Sequence, residues 1–507
     1  MERATDLLEQ QFATVSQLIA AHAAERPDAI AIVDEGGAID WRSLDDLVDR
    51  IAARLQADGL APGQAVALVG VNSIPYAAAY LGALRAGGVA APLTASATVE
   101  AQAAMIADCG ARHLFADSTV SLETPAGVTC IALDAMAGGE PLADWIAPAG
   151  SRPAPAAVAP GDAFNIIYSS GTTGAPKGIV QSHAMRWSHI QRGLPLGYAP
   201  DAVTINSTPL YSNTTLVSFL PTLAAGGKVV LMRKFDARRF LEFSQREGVT
   251  HAMLVPVQYR RLMALPDFDS FDLSTYRMKT CTSAPFSAEL KADVLQRWPG
   301  ALIEIYGMTE GGAATLLLAH QNPDKLHTVG QPAPGNEIRL IDEEGREVAQ
   351  GEVGEVVGRG PAMMTGYHNR AEASAAAEWF DAEGRRYIRH GDIGRFDEDG
   401  FLILMDRAKD LIISGGFNIY PSDLEAVLRA EPGVADAAVV GVPHPDWGET
   451  PVGFVVGDEG IDTAALLAGV NAKLGKTQRL SALHVIDELP RSAIGKILKR
   501  ELRDRLA

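Results

Sequence analysis

At 507 residues the chain is too long for a single hydrophobic core and should divide into two or more domains. Its 47% hydrophobic and 21% charged content argues against disorder, and a formal net charge of −18 argues against nucleic acid as the main partner, because phosphate backbones reward clustered cations. A nucleotide needs only a few local positive groups and stays within reach.

The opening "MERATDLLEQQF" carries acidic residues and no apolar h-region, so no secretory signal is expected. "WRSLDDLVDRIAARLQADG" (41–59) has helical periodicity and stops at glycine; "AVALVG" (65–70) reads as a buried strand and "YAAAYLGALRAGG" (76–88) as a helix. Cys109, Cys130 and Cys281 lie far apart without a C-x-x-C, which points to small buried hydrophobes in a reducing cytoplasm rather than to disulfides or zinc. "SRPAPAAVAPGD" (151–162) is a connecting loop, and "AFNIIY" (163–168) a strand. The apolar stretch 216–232 is interrupted by Pro221, two glycines and Lys228, so no integral membrane segment is expected. "KVVLM" and "ALIEIY" are further strands. Helices alternating with short apolar runs predict α/β layers with mostly parallel sheets. After about residue 400 the texture changes to "SDLEAVLRAE", "AAVVGV", "VGFVVG" and "KILKRELRDRL", a small α+β domain joined through the polar break 406–410.

One loop carries the first chemical signal. "YSSGTTGAPKG" (168–178) follows a strand and combines hydroxyls, three glycines and Lys177. Glycine lets backbone amides approach a ligand closely, and the lysine adds mobile positive charge, a combination suited to polyphosphate. It is not a Walker A loop: Pro176 takes the second glycine position and Gly178 follows the lysine where Ser or Thr would hold magnesium. Taken alone, a Gly/Ser/Thr-rich turn is more often a flexible surface connection than a nucleotide site. Elsewhere, "IEIYGMTEGG" (303–312) ends a strand with an aromatic ring and then Thr309 and Glu310, a hydroxyl and a carboxylate for phosphate and Mg²⁺. "YIRHGDIG" (387–394) offers Asp392 to ribose hydroxyls, and "LPRSAIGKILKREL" (489–502) sets Lys496 after a small-residue turn and before a basic helix.

In this order, "YSSGTTGAPKG", "STPLY", "YGMTE", "YIRHGD", "DRAKDLIISGGFNIYPSDLE" and "PRSAIGK" resemble the adenylate-forming superfamily, which includes AMP-forming acyl- and aryl-CoA synthetases. The resemblance runs from about Thr14 to the C-terminus. It implies a large N-terminal domain of layered α/β subdomains, residues 1–407, and a small mobile α+β domain, residues 408–507. It also implies two half-reactions: a carboxylate attacks the α-phosphate of ATP to give acyl-AMP and pyrophosphate, and the thiol of coenzyme A then displaces AMP. By motif position, Ser169, Ser170, Gly171, Thr172, Thr173, Gly174 and Lys177 would grip the β- and γ-phosphates. Tyr306 would stack on adenine beside Ala284 and Pro285. Thr309 would contact the α-phosphate, Glu310 would hold Mg²⁺, and Asp392 would bind ribose with Arg407 nearby. Lys496 would bridge the carboxylate and the α-phosphate. Lys409 would be the hinge, and Gly415 and Gly416 would line the pantetheine tunnel. Trp447 would lie near CoA or pack as a surface aromatic.

Departures from the family pattern fall mostly at the acyl site. "PLYSN" gives Tyr211 and then Ser212 where histidine is usual, removing a protonatable gate. "CTSAP" puts Thr282 where glycine is common and should narrow one wall. Gly311 and Gly312 suggest open volume beyond the magnesium carboxylate. "TQRL" (477–480) replaces the usual "YKxP" in the last linker. The leading reading is an acid–thiol ligase acting on a small carboxylic acid with CoA as acceptor, since the sequence leaves no room after Lys496 for a fused carrier domain. The alternatives are a stand-alone enzyme loading a separate acyl carrier protein and, from another class, a silent nucleotide-binding regulator. A homodimer is left open.

Overall fold

Apolar runs without alternation become strands buried on both faces. Every residue of Ala65–Val69, Val89–Leu93 and His113–Ala116 is buried, the pattern of a parallel sheet covered by helices on each side. The computed structural model describes residues 2–121, 123–135, 138–169, 177–407, 410–414, 417–445, 447–458, 460–475, 478–492 and 495–506, with backbone alone at 169, 406, 407, 417 and 418. The chain divides into two units. The first comprises Met1–Leu326, Ala333–Glu337 and Arg359–Ile388; the second comprises His327–Pro332, Ile338–Gly358 and Arg389–Ala507.

Two sheets organise the first unit. One runs in the order Gly366–Tyr367, Lys177–Ser182, Ala163–Ser169, Val89–Leu93, Ala65–Val69, His113–Ala116, Thr129–Ala132 and Glu140–Pro141. It is parallel from Ala163–Ser169 outwards, whereas Lys177–Ser182 is antiparallel to both neighbours. The other runs Thr315–Leu318, Ala301–Tyr306, Met278–Cys281, His251–Leu254, Val203–Asn206, Lys228–Leu231, Ile30–Val33 and Ala38–Asp40. Only the two outermost pairs of that run are antiparallel. Helices start where short polar side chains can satisfy the first amides: Asp40 caps Trp41–Ala57 through Ser43 N at 2.7 Å, and Ser73 caps Ile74–Arg85 with Pro75 in the first turn. The stretch 216–232 splits into the end of the helix Asn213–Ala224, with Pro221 inside it, and the strand Lys228–Leu231. Among the described residues no helix is long and apolar enough to cross a membrane. All three cysteines are free and buried.

The second unit is mostly antiparallel. Residues 392–396 of the strand Arg386–Phe396 pair with Leu402–Arg407. A separate sheet runs Phe417–Ile419, Ile412–Ser414, Gly448–Gly457 and Val434–His444, with Ala482–Val485 parallel to Gly448–Gly457. The helix Pro421–Arg429 buries Leu424 and Leu428 in a core shared with Val439 and Val455. The basic helix expected from residue 496 onwards begins only at Lys499 and ends at Asp504. A bridge between Arg491 and Ile497, and the bond from Leu498 N to Pro490 O at 2.8 Å, hold the segment before it out of helical conformation.

Five histidines of the first unit are removed from water without a carboxylate strong enough to keep them charged. Burial pushes His183 down to about 4 against the pull of Asp162, and burial likewise lowers His22, His113, His189 and His251. The folded chain therefore binds fewer protons than the unfolded chain below the ordinary histidine value. Stability is complete above about pH 6.5 and falls as pH drops towards 4. The midpoint of urea denaturation is expected to decline steadily from pH 7 to pH 5, and His183→Gln should flatten that slope. A midpoint independent of pH over this range would contradict the assignment.

Candidate active site

The strands Ala163–Ser169 and Lys177–Ser182 flank the glycine-rich segment and bring its two ends together, Ser169 opposite Lys177. Tyr168 anchors the first strand by donating to Asp108 Oδ2 at 2.8 Å and to Met105 O at 3.2 Å. Lys177 opens the second strand, and its Nζ lies 5.3 Å from the centroid of the Tyr367 ring. Ser170, Gly171, Thr172, Thr173 and Gly174, expected to grip phosphates, lie outside the described residues, as does the side chain of Ser169.

The strand Ala301–Tyr306 delivers the second half of the site. Tyr306 ends it half-buried, paired in register with Thr315. The turn that follows is strapped from two directions. Gln181 Nε2 donates to Thr309 O at 2.6 Å, Met364 N donates to Glu310 O at 2.8 Å, and Tyr367 OH donates to Glu310 Oε1 at 2.8 Å. Burial, and then the Glu310 charge, raise the Tyr367 phenol well above its ordinary pKa, so it stays a donor. Tyr367 thus joins the two segments: its hydroxyl holds Glu310, and the Lys177 ammonium lies over its ring. Sequence reading missed Tyr367, which lies 57 positions from Glu310 with no motif linking them.

Gly311, read in the sequence as open volume, has another reason to be glycine. Its φ is +76°, and a Cβ there would stand 2.0 Å from Ala362 O, while Gly312 N donates to that same carbonyl at 3.0 Å. The glycine admits a neighbouring backbone rather than a ligand.

At the expected acyl site, Tyr211 is half-buried and Ser212 is buried as the cap of Asn213–Ala224, accepting from Thr214 N at 3.3 Å. The serine that replaces histidine therefore has a structural duty. Thr214 Oγ1 shares a 2.8 Å hydrogen bond with Ser283 Oγ, and Ser283 adopts φ +80°, a left-handed conformation that a non-glycine residue enters only under constraint. Thr282 and Ala284 are half-buried on either side, and Pro285 is exposed.

In the second unit Asp392 is buried and in register with Arg407, whose side chain lies outside the description. Lys496 is exposed, its amide accepted by Ser492 Oγ at 3.2 Å and its carbonyl accepting from Ser492 N at 2.8 Å. Arg491 braces this turn by donating to Gly495 O at 2.7 Å and pairing with Asp436 at 2.5 Å. Lys409, Gly415 and Gly416 lie outside the described residues. Trp447 is 57% exposed, not packed.

The chain matches the family model for AMP-binding enzymes over residues 19–368 and that for the AMP-binding enzyme C-terminal domain over residues 423–496. It belongs to the AMP-binding enzyme family, whose adenylate-forming members share the large α/β domain followed by a smaller C-terminal one. Among its relatives, a feruloyl-CoA synthase from Amycolatopsis sp is 35% identical over 490 residues, covering 94% of this chain and 96% of that protein. The fatty acid–[acyl-carrier-protein] ligase ScoC from Streptomyces coeruleorubidus is 34% identical over 512 residues, covering 98% and 97%. Among solved structures, ATP-bound MatB from Rhodopseudomonas palustris is 30% identical with a TM-score of 0.85, covering 97% of this chain and 99% of that one.

Removing the Tyr367 hydroxyl deletes a hydrogen bond to a charged acceptor, worth ~1.5–3 kcal/mol where it operates. Tyr367→Phe is expected to speed hydrogen exchange at Met364 N–H, which bonds the Glu310 carbonyl, by roughly tenfold or more. Unchanged exchange at that amide would contradict the role given to this contact.

Proposed function

We propose that this protein is an ATP-dependent, AMP-forming acyl- or aryl-CoA ligase. The observation that carries the reading is Glu310, on the turn that follows Tyr306, held at 2.8 Å by the hydroxyl of Tyr367, over whose ring the Lys177 ammonium lies at 5.3 Å. A carboxylate and a polyphosphate repel each other, so a site that joins them must present fixed cations and a cation-binding carboxylate before in-line attack. Among the described residues no cluster of His, Cys, Asp or Glu could bind a metal by itself. A Mg²⁺ carried on nucleotide phosphates needs only one or two protein carboxylates. Glu310 would hold it, and the ion would neutralise phosphate charge.

In this reading Tyr306 stacks on the adenine with Ala284 and Pro285 beside it, Asp392 accepts from the ribose hydroxyls near Arg407, and Thr309 donates to the α-phosphate. Ser169, the segment 170–174 and Lys177 take the departing pyrophosphate. Lys496 bridges the acid's carboxylate and the α-phosphate during adenylation and withdraws for thiol attack, with Lys409 as hinge. Gly415 and Gly416 leave room for the pantetheine arm. Tyr211, Ser212 and Thr282 face the acyl group. Support for CoA as acceptor comes from relatives named as CoA synthases and CoA ligases; the carrier-protein ligase among the relatives keeps a protein-bound thiol as the second reading.

The test is mass spectrometry after incubation with ATP, Mg²⁺ and a panel of fatty acids, benzoates and hydroxycinnamates, with and without CoA. A CoA-dependent thioester with AMP is expected; acyl-AMP that persists in the presence of CoA would transfer the assignment to carrier loading. Lys496→Ala should slow adenylation by ~100- to 1,000-fold, as for loss of one preorganised donor. Thioester formation from supplied acyl-AMP should be spared, and equal loss of both steps would overturn the role of Lys496.

A further inference from the structure

The helix His183–Gly193 carries an arginine that the proposed chemistry does not use. Arg186 is 1% exposed, and its guanidinium lies 6.0 Å from the centroid of the Phe164 ring, with no carboxylate bonded to it among the described residues. Its hydrogen bonds go instead to neutral groups. Nε donates to Asn165 Oδ1 at 2.8 Å, and Nη1 donates to Asn213 Oδ1 at 2.8 Å with His189 Nδ1 at 3.4 Å. Asn165 Nδ2 then donates to Gln181 Oε1 at 3.1 Å, and Gln181 Nε2 donates both to Asn213 Oδ1 at 3.4 Å and to Thr309 O at 2.6 Å. Asn165 and Gln181 are themselves fully buried, facing each other across the paired strands that flank the glycine-rich segment.

The two ends of this relay fix its direction. A guanidinium can only donate and a backbone carbonyl can only accept. Asn165 must therefore turn its oxygen to Arg186 and its NH₂ to Gln181, and Gln181 must in turn aim its NH₂ at Thr309 O. With an apolar residue at 186, the Asn165 and Asn213 oxygens would lose their charged donor, and a flip of Asn165, which sets oxygen against oxygen among buried groups, would be opposed from the Thr309 end alone. One buried cation thus couples the strand before the phosphate segment, the strand after it, the first turn of the helix behind Tyr211 and Ser212, and the turn bearing Thr309 and Glu310.

We propose that Arg186 is a positioning residue that sets the polarity of the Asn165–Gln181–Asn213 amide ring and thereby holds the 309–310 turn in its ligand-ready geometry. The importance of that turn rests on the ligase reading; the geometry itself does not.

Hydrogen exchange on the full-length protein without nucleotide reads the turn directly, through Gly312 N–H bonded to Ala362 O and Met364 N–H bonded to Glu310 O. Gln181→Glu, which presents an acceptor to the Thr309 carbonyl, and Arg186→Met should each speed exchange at these two amides by roughly tenfold or more. The strands Ala65–Val69 and His251–Leu254 should keep wild-type protection. Arg186→Lys, which retains donors but loses the two-pronged fork, should fall between. Arg85→Met provides the comparison: that arginine's side chain is 9% exposed and bonded to Asp45 at 2.6 Å and Asp49 at 2.7 Å, and its loss should leave the two amides unchanged. In turnover, Gln181→Glu should raise KM for MgATP by about tenfold, the counterpart of one lost hydrogen bond. Wild-type exchange at both amides in Gln181→Glu would overturn the proposal, as would an equal change in Arg85→Met. Should Arg186→Met fail to fold, the glutamine variant decides alone. A wild-type protein that forms no acyl-adenylate from any acid would refute the ligase reading while leaving the exchange result standing.

Discussion

The first unit depends on how one strand, Ala301–Tyr306, is pinned along its length. At its entrance Lys279 is fully buried and donates to Trp298 O at 3.1 Å, Pro299 O at 2.5 Å and Gly300 O at 2.8 Å. At its middle Glu304 pairs with Lys291, itself bonded to Leu326 O at 2.7 Å. At its exit Gln181, Met364 and Tyr367 take hold of residues 309 and 310. Strand pairing alone fixes height and register. These polar contacts, drawn from three distant parts of the chain, also fix where the strand stops and what it then presents.

Buried charges are an expensive way to hold a strand, since desolvation opposes each of them. Burial pushes Glu304 up to about 7 despite Lys291, and burial drives Lys279 down to about 7, so neither group gains by being charged there. What they supply is direction. An ammonium that satisfies three carbonyls, or a carboxylate opposed to one lysine, tolerates few alternative registers, whereas an apolar side chain tolerates many. The chain is strongly acidic overall, and yet the groups that brace its proposed anion site are cations removed from water: Arg186, Lys279 and Lys291. Among the described residues only Lys291 of the three has a carboxylate partner, Glu304; Arg186 and Lys279 are held by neutral oxygens and a ring nitrogen.

Much of the architecture was legible in the residues because parallel strands buried on both faces write themselves as unbroken apolar runs, as "AVALV" does. The motif order also marked Thr309, Glu310 and Lys177 as members of one site. What stayed hidden was pairing at long range. Tyr367 looks like any strand tyrosine until its hydroxyl is seen on Glu310. Arg186 belongs to none of the motifs, and nothing local tells that it faces two asparagines inside. Gly311 was legible as necessary but not for the right reason, since open space and an approaching carbonyl both demand a missing side chain. The helix after Lys496 was overextended because periodicity does not register a tertiary bridge such as that between Arg491 and Ile497.

The central claim is that the first unit's fixed turn and lysine serve attack of a carboxylate on the α-phosphate of ATP. Isotope exchange between pyrophosphate and ATP tests this most directly, because it reports reversal of that step and requires no thiol. Exchange that depends on Mg²⁺ and on a carboxylic acid, and proceeds without CoA, is the predicted result. Exchange absent with every acid tested, or ATP cleaved to ADP and phosphate, would contradict the account.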